Sequence, residues 1–372
     1  MYWILLLGLF AAWIVQSVLI RRLWQRGLSV ALHFRDTYVY EGDTSVLQEI
    51  VTNDKWLPLP ALEVRIAMNA SLKFTGEAAD NSAVSDQSYK RDVFSLLFHQ
   101  KITRTLSFTA EKRGCYEIRQ ADIKVFDFFF HDLEYKALAQ NTMLYVYPAQ
   151  IDSRRIDVIC TAISGSLPVQ NQVFPDPFEF SGIREYLPSD PMNRINWKAS
   201  TRMGTTMVNQ FDATTNMNLS LIFDVEDSHI WKSDALVEET IRITSSLAAR
   251  LVKGRMPLQL YSNASLEKEE ADIFSMRLPA NAAHMAELNR KLACIDGFCS
   301  SAADLLAAME PQSPEQLCVL ISKNTDAGTL EAIRQFAASV NSLLWVIPKY
   351  PSDENPVPAI PHVRTIEWEV TL

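Results

Sequence analysis

Glycine is scarce, with 11 in 372 residues. A chain this poor in glycine has little material for phosphate-cradling loops, and no G-x-x-x-x-G-K-[ST] run occurs in it. Zincin-type H-E-x-x-H and the G-x-S-x-G nucleophile elbow are missing too, and the six histidines are scattered from His33 to His362. The five cysteines, Cys115, Cys160, Cys294, Cys299 and Cys318, form no C-x-x-C pair and are odd in number, so they read as reduced structural thiols. Positive charge is not in excess. The net charge of −9 argues against broad nucleic-acid binding. Together these absences favour a protein that is not an enzyme.

Apolar residues are plentiful at 48%, enough for sizeable cores, and the length calls for two or three domains. Tyr2 to Ile20 carries no charged side chain, is rich in Leu, Ile, Trp and Phe, and is followed at once by Arg21, Arg22 and Arg26. At about 1.5 Å per residue the run just spans a hydrocarbon core of about 30 Å. It lacks the basic n-region of a secretory signal and exceeds the usual h-region. Residues 1–24 therefore read as a single-pass anchor touching lipid through residues 2–20. The arginines after it place the rest of the chain in the cytoplasm.

Residues 28–148 show a period of two. Leu62, Val64, Ile66 and Met68 alternate with Glu63, Arg65 and Ala67, and Thr103, Thr105 and Ser107 alternate with Ile102, Leu106 and Phe108. Turn signals fall at Glu41-Gly42-Asp43, Asn53-Asp54 and Lys112-Arg113-Gly114. Short antiparallel strands at that spacing predict an all-β immunoglobulin-like sandwich. Ala78 to Ser88 reads as a polar loop. The run Phe126-Asp127-Phe128-Phe129-Phe130 reads first as core packing under a turn, with a contact to a second domain or to lipid headgroups as the alternative.

Residues 149–215 form a connector that carries the most distinctive stretch, Phe178 to Phe211. Its arginines, aromatics and turn residues follow neither a helical nor a strand period. Asp190 and Pro191 suit a helix start, Met192, Ile195 and Ala199 share a helical face, Gly204 suits a stop, and Thr205 to Phe211 reads as a strand. From residue 216 to 372 strands and helices alternate. Leu219–Asp224, Pro257–Tyr261, Ile273–Leu278, Leu317–Ser322, Leu343–Ile347 and Val363–Val370 read as strands. Ala235–Lys253, His284–Cys294, Ser301–Met309 and Ala327–Ser339 read as helices, with a charged hairpin over Glu267–Asp272 and a proline-rich loop over Pro351–Pro361. Such alternation predicts a mostly parallel α/β sheet with helices on both faces and an edge strand last.

The run Gly182-Ile183-Arg184-Glu185-Tyr186-Leu187-Pro188-Ser189-Asp190, the run Arg194-Ile195-Asn196-Trp197-Lys198-Ala199-Ser200 and the following Arg202 resemble the domain-of-unknown-function-58 family. Ser189 stands where that family usually has glycine. The resemblance implies a von Willebrand factor A-like domain, a membrane anchor (often two helices, where this chain shows one) and a MoxR-type AAA+ ATPase as protein partner. The family's Asp-Pro-Phe-Gly turn is replaced here by Asp127-Phe128-Phe129.

Two sets of site residues follow. Ligands of open α/β sheets bind beyond the carboxyl ends of the strands, where Asp224, Glu226 and Ser228 stand as Asp-x-Glu-x-Ser. A-type domains hold Mg²⁺ there with Asp-x-Ser-x-Ser, since carboxylate and hydroxyl oxygens suit a hard cation. Here Glu226 replaces the first serine, and Lys323 lies near enough to take the charge position of a metal. The alternative is that Asp224 caps the next turn or pairs with a basic residue of the distinctive stretch. The second set is the stretch itself. Arg184, Arg194, Lys198 and Arg202 are balanced by Glu179, Glu185 and Asp190, so internal pairing is one reading. The other is a partner-docking surface of Arg184, Tyr186, Asp190, Arg194, Trp197, Lys198 and Arg202, with Trp197 an anchor or a core plug.

Overall fold

The apolar run at the start folds as one helix, α1 (Tyr2–Leu23), whose 22 residues extend about 33 Å. Arg21 and Arg22 fall in its last turn, where cations complement the helix dipole. This computed structural model describes residues 2–75, 82–84, 87–165, 180–187, 192, 195–211, 219–227, 234–266, 273–279, 281, 283–309, 316–353 and 357–370. The chain divides into two compact units, Met1–Ala149 with Asn289–Cys294, and Gln150–Leu288 with Ile295–Leu372.

In the first unit α1 leads into strands β1 (Leu28–Phe34), β2 (Tyr38–Tyr40), β3 (Thr44–Asn53), β4 (Leu59–Asn69), β5 (Leu72–Phe74), β6 (Ser82–Val84), β7 (Gln87–Leu96), β8 (Gln100–Ala110), β9 (Gly114–Phe126) and β10 (Asp132–Tyr147). They form two sheets, β1-β3-β8-β5 and β2-β10-β9-β4-β7-β6, antiparallel apart from the β2–β10 pair. The alternation read from Leu62 to Met68 is the inward face of β4. Leu62, Val64 and Ile66 pack with Ile123 and Val125 of β9 and, across the sandwich, with Leu47 and Val51 of β3 and Phe108 of β8. Ile20 and Trp24 close the same core, so the end of α1 is rooted in the sandwich. Part of Ala78–Ser88, read as a loop, is a hairpin: β6 pairs with β7, with Val84 opposite Gln87.

The second unit runs α2 (Ser153–Gly165), β11 (Phe180–Glu185), α3 (Trp197–Met203), β12 (Met207–Phe211), β13 (Leu219–Phe223), α4 (Asp234–Lys253), β14 (Leu258–Ser262), β15 (Ala264–Leu266), β16 (Phe274–Leu278), α5 (Ala283–Ala293), β17 (Ile295–Phe298), α6 (Ala302–Ala308), β18 (Leu317–Ile321), α7 (Ala327–Ser339), β19 (Ser342–Lys349) and β20 (Val363–Glu369). Its main sheet has the order β16-β14-β13-β18-β19-β20, parallel except for β16 against β14, with β20 at an edge. Continuous apolar runs such as Leu219–Phe223 and Leu317–Ile321 are buried throughout, as strands covered on both faces must be. Ile222, Cys318, Leu320 and Trp345 face Leu305 of α6 and Ile333 and Phe336 of α7. Helix α4 covers the opposite face. The expected mostly parallel α/β unit is therefore present. The expected hairpin at Glu267–Asp272 lies outside the described residues, and the short pair β15–β17 was not anticipated.

Candidate functional site

At the carboxyl end of the main sheet, three neighbouring parallel strands deliver Asp224 after β13, Asn263 after β14, and Ser322, Lys323 and Asn324 after β18. Crossover order puts β13 between the other two, so its trailing side chain is met from both sides. Asp224 is buried, and four donors fill its carboxylate. Oδ1 accepts from the Glu226 amide at 2.9 Å and Asn263 Nδ2 at 2.7 Å. Oδ2 accepts from Ser322 Oγ at 2.6 Å and Asn324 Nδ2 at 2.8 Å. Both amides are oriented by backbone groups. Asn263 Oδ1 accepts from the Val225 amide at 2.9 Å, and Asn324 Nδ2 also donates to the Glu226 carbonyl at 3.2 Å. Burial pushes the Asp224 carboxyl above its ordinary range, opposed by the hydrogen bonds from Ser322, Glu226, Asn263 and Asn324.

The neighbours are committed as well. Glu226 Oε2 accepts from the Ala302 amide at the start of α6 (2.8 Å). Lys323 Nζ donates to Asp227 at 3.0 Å, with side chains 3% and 11% exposed. Lys323 does bring an internal cation to this end of the sheet, but to Asp227 rather than to Asp224. Ser228 lies outside the described residues. Among the described residues, the Asp224 carboxylate accepts four hydrogen bonds and Glu226 Oε2 holds the start of α6, so a Mg²⁺ ion there would compete with those donors. Of the two readings of Asp224, turn capping is the one realised. It caps the 224–226 turn, and its side-chain partners are asparagines and a serine that sequence reasoning missed. A polar residue ending each of three adjacent strand runs was the available signal.

The distinctive stretch is a separate substructure. β11 and β12 pair antiparallel, with Arg184 opposite Val208 and Glu185 opposite Met207, and α3 stands between them in sequence. The α-helix α3 starts at Trp197, and the expected start at Asp190-Pro191 lies outside the described residues. Ile195 makes an extended bridge to Val208, and Asn196 is the N-cap, its side chain accepting from the Ala199 amide at 3.0 Å. Met192 and Ile195 thus precede α3 instead of lining it, because a side-chain acceptor at residue 196 fixes the start one residue later. Gly204 ends it in the left-handed region at φ +71°, as anticipated. Ser200 ties helix to strand, its Oγ donating to the Asn196 carbonyl at 2.8 Å and accepting from the Met207 amide at 2.8 Å.

α3 buries none of its residues. Trp197 is 70% exposed, so it is no core plug. Met203, Met192, Leu187 and Ile183 of the same stretch are exposed as well. Lys198 and Arg202, four apart on the helix, are exposed, whereas Arg184 and Tyr186 are half-buried. Arg184 Nη1 donates to the Glu185 carbonyl at 3.0 Å. Asp190 and Arg194 lie outside the described residues.

These features define the class: a β-sandwich carried on a long apolar helix, followed by an α/β unit with a protruding strand–helix–strand arm. Residues 182–341 match the family model described as "Protein of unknown function DUF58", which supports that family for the stretch carrying arm and sheet. No curated protein matches the chain. Among solved structures, similar ones include a non-cellulosomal cohesin from Archaeoglobus fulgidus (8% identity, 32% of this chain and 91% of that one, TM-score 0.23). A CARDB domain from Pyrococcus furiosus (13%, 32% and 90%, TM-score 0.20) and a cohesin of Acetivibrio cellulolyticus scaffoldin B (11%, 32% and 99%, TM-score 0.22) are others.

Proposed function

We propose that this is a membrane-anchored, non-enzymatic interaction protein. α1 spans a bacterial inner membrane with the two units on the cytoplasmic side, the positive-inside bias of Arg21, Arg22 and Arg26 being the support. The second unit is von Willebrand factor A-like, a reading supported by its mostly parallel strand order and implied by the family resemblance, and its arm binds a protein partner. The observation that carries this reading is the exposure of Trp197 on a helix with no buried face. Exposed tryptophan beside methionine and arginine is what the centre of a protein interface contains. The partner is a MoxR-type AAA+ ATPase, as the family resemblance implies, in envelope assembly or stress work.

The test is affinity capture of the full chain from native membranes, with and without ATP. Changing Arg184, Arg194 and Trp197 together to alanine abolishes recovery of the ATPase while the thermal transition stays where it was. Recovery equal to that of the unchanged chain would overturn the reading.

A further inference from the structure

One end of the sandwich differs in chemistry from the other, and the strand register identifies it. Leu28 pairs with Asn53, Asn53 with Gln100, Leu59 with Leu96, and Ala61 with Phe126. The α1–β1 junction, the β3–β4 loop, the β7–β8 loop and the β9–β10 turn therefore cluster at a single end. That end exposes Trp56 at 78%, Leu97, Phe98, and Phe128, Phe129 and Phe130 at 52, 63 and 69%. The opposite end is turned by Glu41-Gly42-Asp43, Asn69-Ala70-Ser71 and Glu111-Lys112-Arg113. The reading of Phe126–Phe130 as core packing is thereby corrected for its last three residues.

The aromatic turn is rigid and is fastened to α1. Asp127 is buried, and its Oδ1 accepts from the amides of Phe129 and His131, both at 2.8 Å. Its Oδ2 accepts from Trp13 Nε1 at 3.2 Å and Ser17 Oγ at 3.3 Å. Phe130 is in the left-handed region at φ 59°, and its amide donates to the Asp127 carbonyl at 3.1 Å. Trp13 precedes Arg21 by eight residues, about 12 Å along the helix axis, and a tilt of about 20° shortens that little. The second aromatic group lies nearer the helix end. Lys55 Nζ donates to the Trp24 carbonyl at 2.8 Å and the Asp54 amide to that of Gly27. Trp56 stacks on Phe98 with ring centroids 5.5 Å apart.

We propose that this end of the sandwich is seated in the membrane, with Phe128–Phe130 in the acyl region beside α1 and Trp56 and Phe98 at headgroup level. The inference rests on α1 spanning the bilayer. Lipid is the occupant because the patch continues the apolar surface of α1 and is stepped in depth along it. Aromatic rings gather at the interface, phenylalanine is favoured deeper, and a carboxylate at that depth needs its acceptors filled, as those of Asp127 are.

The test uses the full chain in vesicles of phosphatidylcholine and phosphatidylglycerol. p-Benzoylphenylalanine replaces one residue at a time at Leu9, Phe129 and Lys112. After illumination, lipid adducts are sought by mass spectrometry. Adducts at positions 9 and 129 and none at 112 are expected. Adducts at 9 without 129 would overturn the seating while leaving the anchor intact. Adducts at neither would remove the anchor and the seating together.

Discussion

Two buried acidic sites show how differently a carboxyl group can be accommodated. Asp224 has four donors. Glu49, fully buried on β3, has no N–H or hydroxyl donor among the described residues, and its carboxyl faces that of Asp92 on β7, with which it can share a proton. Arg104, Glu49's cross-strand neighbour on β8, donates to Asp92 instead, and Lys90 Nζ stands 4.0 Å from the same carboxylate. Burial, then the charge of Asp92 and a hydrogen bond shared with it, push Glu49 up to about 8, while Arg104 and Lys90 pull the other way. The folded state thus binds a proton that the unfolded chain, at an ordinary 4.5, releases earlier. This contribution to stability is complete below about 4.5 and is lost as pH rises through about 8. Between pH 5 and 8.5 the melting temperature of the unchanged sandwich falls relative to that of Glu49→Gln, whose amide cannot ionise. Parallel melting curves for the two chains across that range would refute this account.

At the scale of elements, α3 is seven residues long, too short to persist on propensity alone. What holds it is local: the Asn196 cap, the Gly204 stop and the Ser200 hydroxyl bridging to β12. Asn196→Ala removes the cap at a cost of about 1 kcal/mol. The Ala199 amide then exchanges about fivefold faster with solvent deuterium, with global unfolding unmoved. If α3 is the partner's grip, capture of the ATPase weakens in the same variant. Unchanged exchange at Ala199 would mean that something other than the cap holds the helix.

The same element shows what was legible beforehand. Gly204 was readable as the stop because the left-handed conformation that ends a helix favours glycine, which has no Cβ to clash there. The start of α3 was not, since Asp190-Pro191 offers a good cap on paper, and only the Ile195–Val208 bridge shows that the chain is extended at Ile195, just before the Asn196 cap. Strands with a clean period of two, such as β4 and β8, and the amphipathic α4 were plain. Phe128–Phe130 was misread because apolar runs are usually core. A turn at Asp127 and an exposed alternative were both readable, but not that the Asp127 carboxylate would hold the turn with its rings outward. Asn263 and Asn324 were passed over for a related reason: a polar residue at the end of a strand run marks a position, but its partner is unknown until the strand order is.

Across the whole molecule, each unit has its own core. That of the first gathers both sheets of the sandwich and the end of α1, and that of the second includes the β18–β19 region with α6 and α7. Two cores that share no buried residue should melt as two transitions, and a two-state description of the whole chain should fail. Site-directed changes can assign them. Leu62→Ala empties a fully buried position in the sandwich and costs about 2–5 kcal/mol there. Asp224→Ala leaves Ser322, Asn263 and Asn324 with donors facing a void, each worth about 1–3 kcal/mol when buried unpaired. Calorimetry of the full chain in detergent should show the first variant lowering one transition and the second variant the other. The assignment bears on function. If Asp224→Ala lowers the second transition but capture through the arm survives below it, the end of the main sheet is structural, and binding belongs to the arm. A single transition shifted by both variants would mean that the units fold as one body, and an effect on partner capture could then no longer be credited to either region alone.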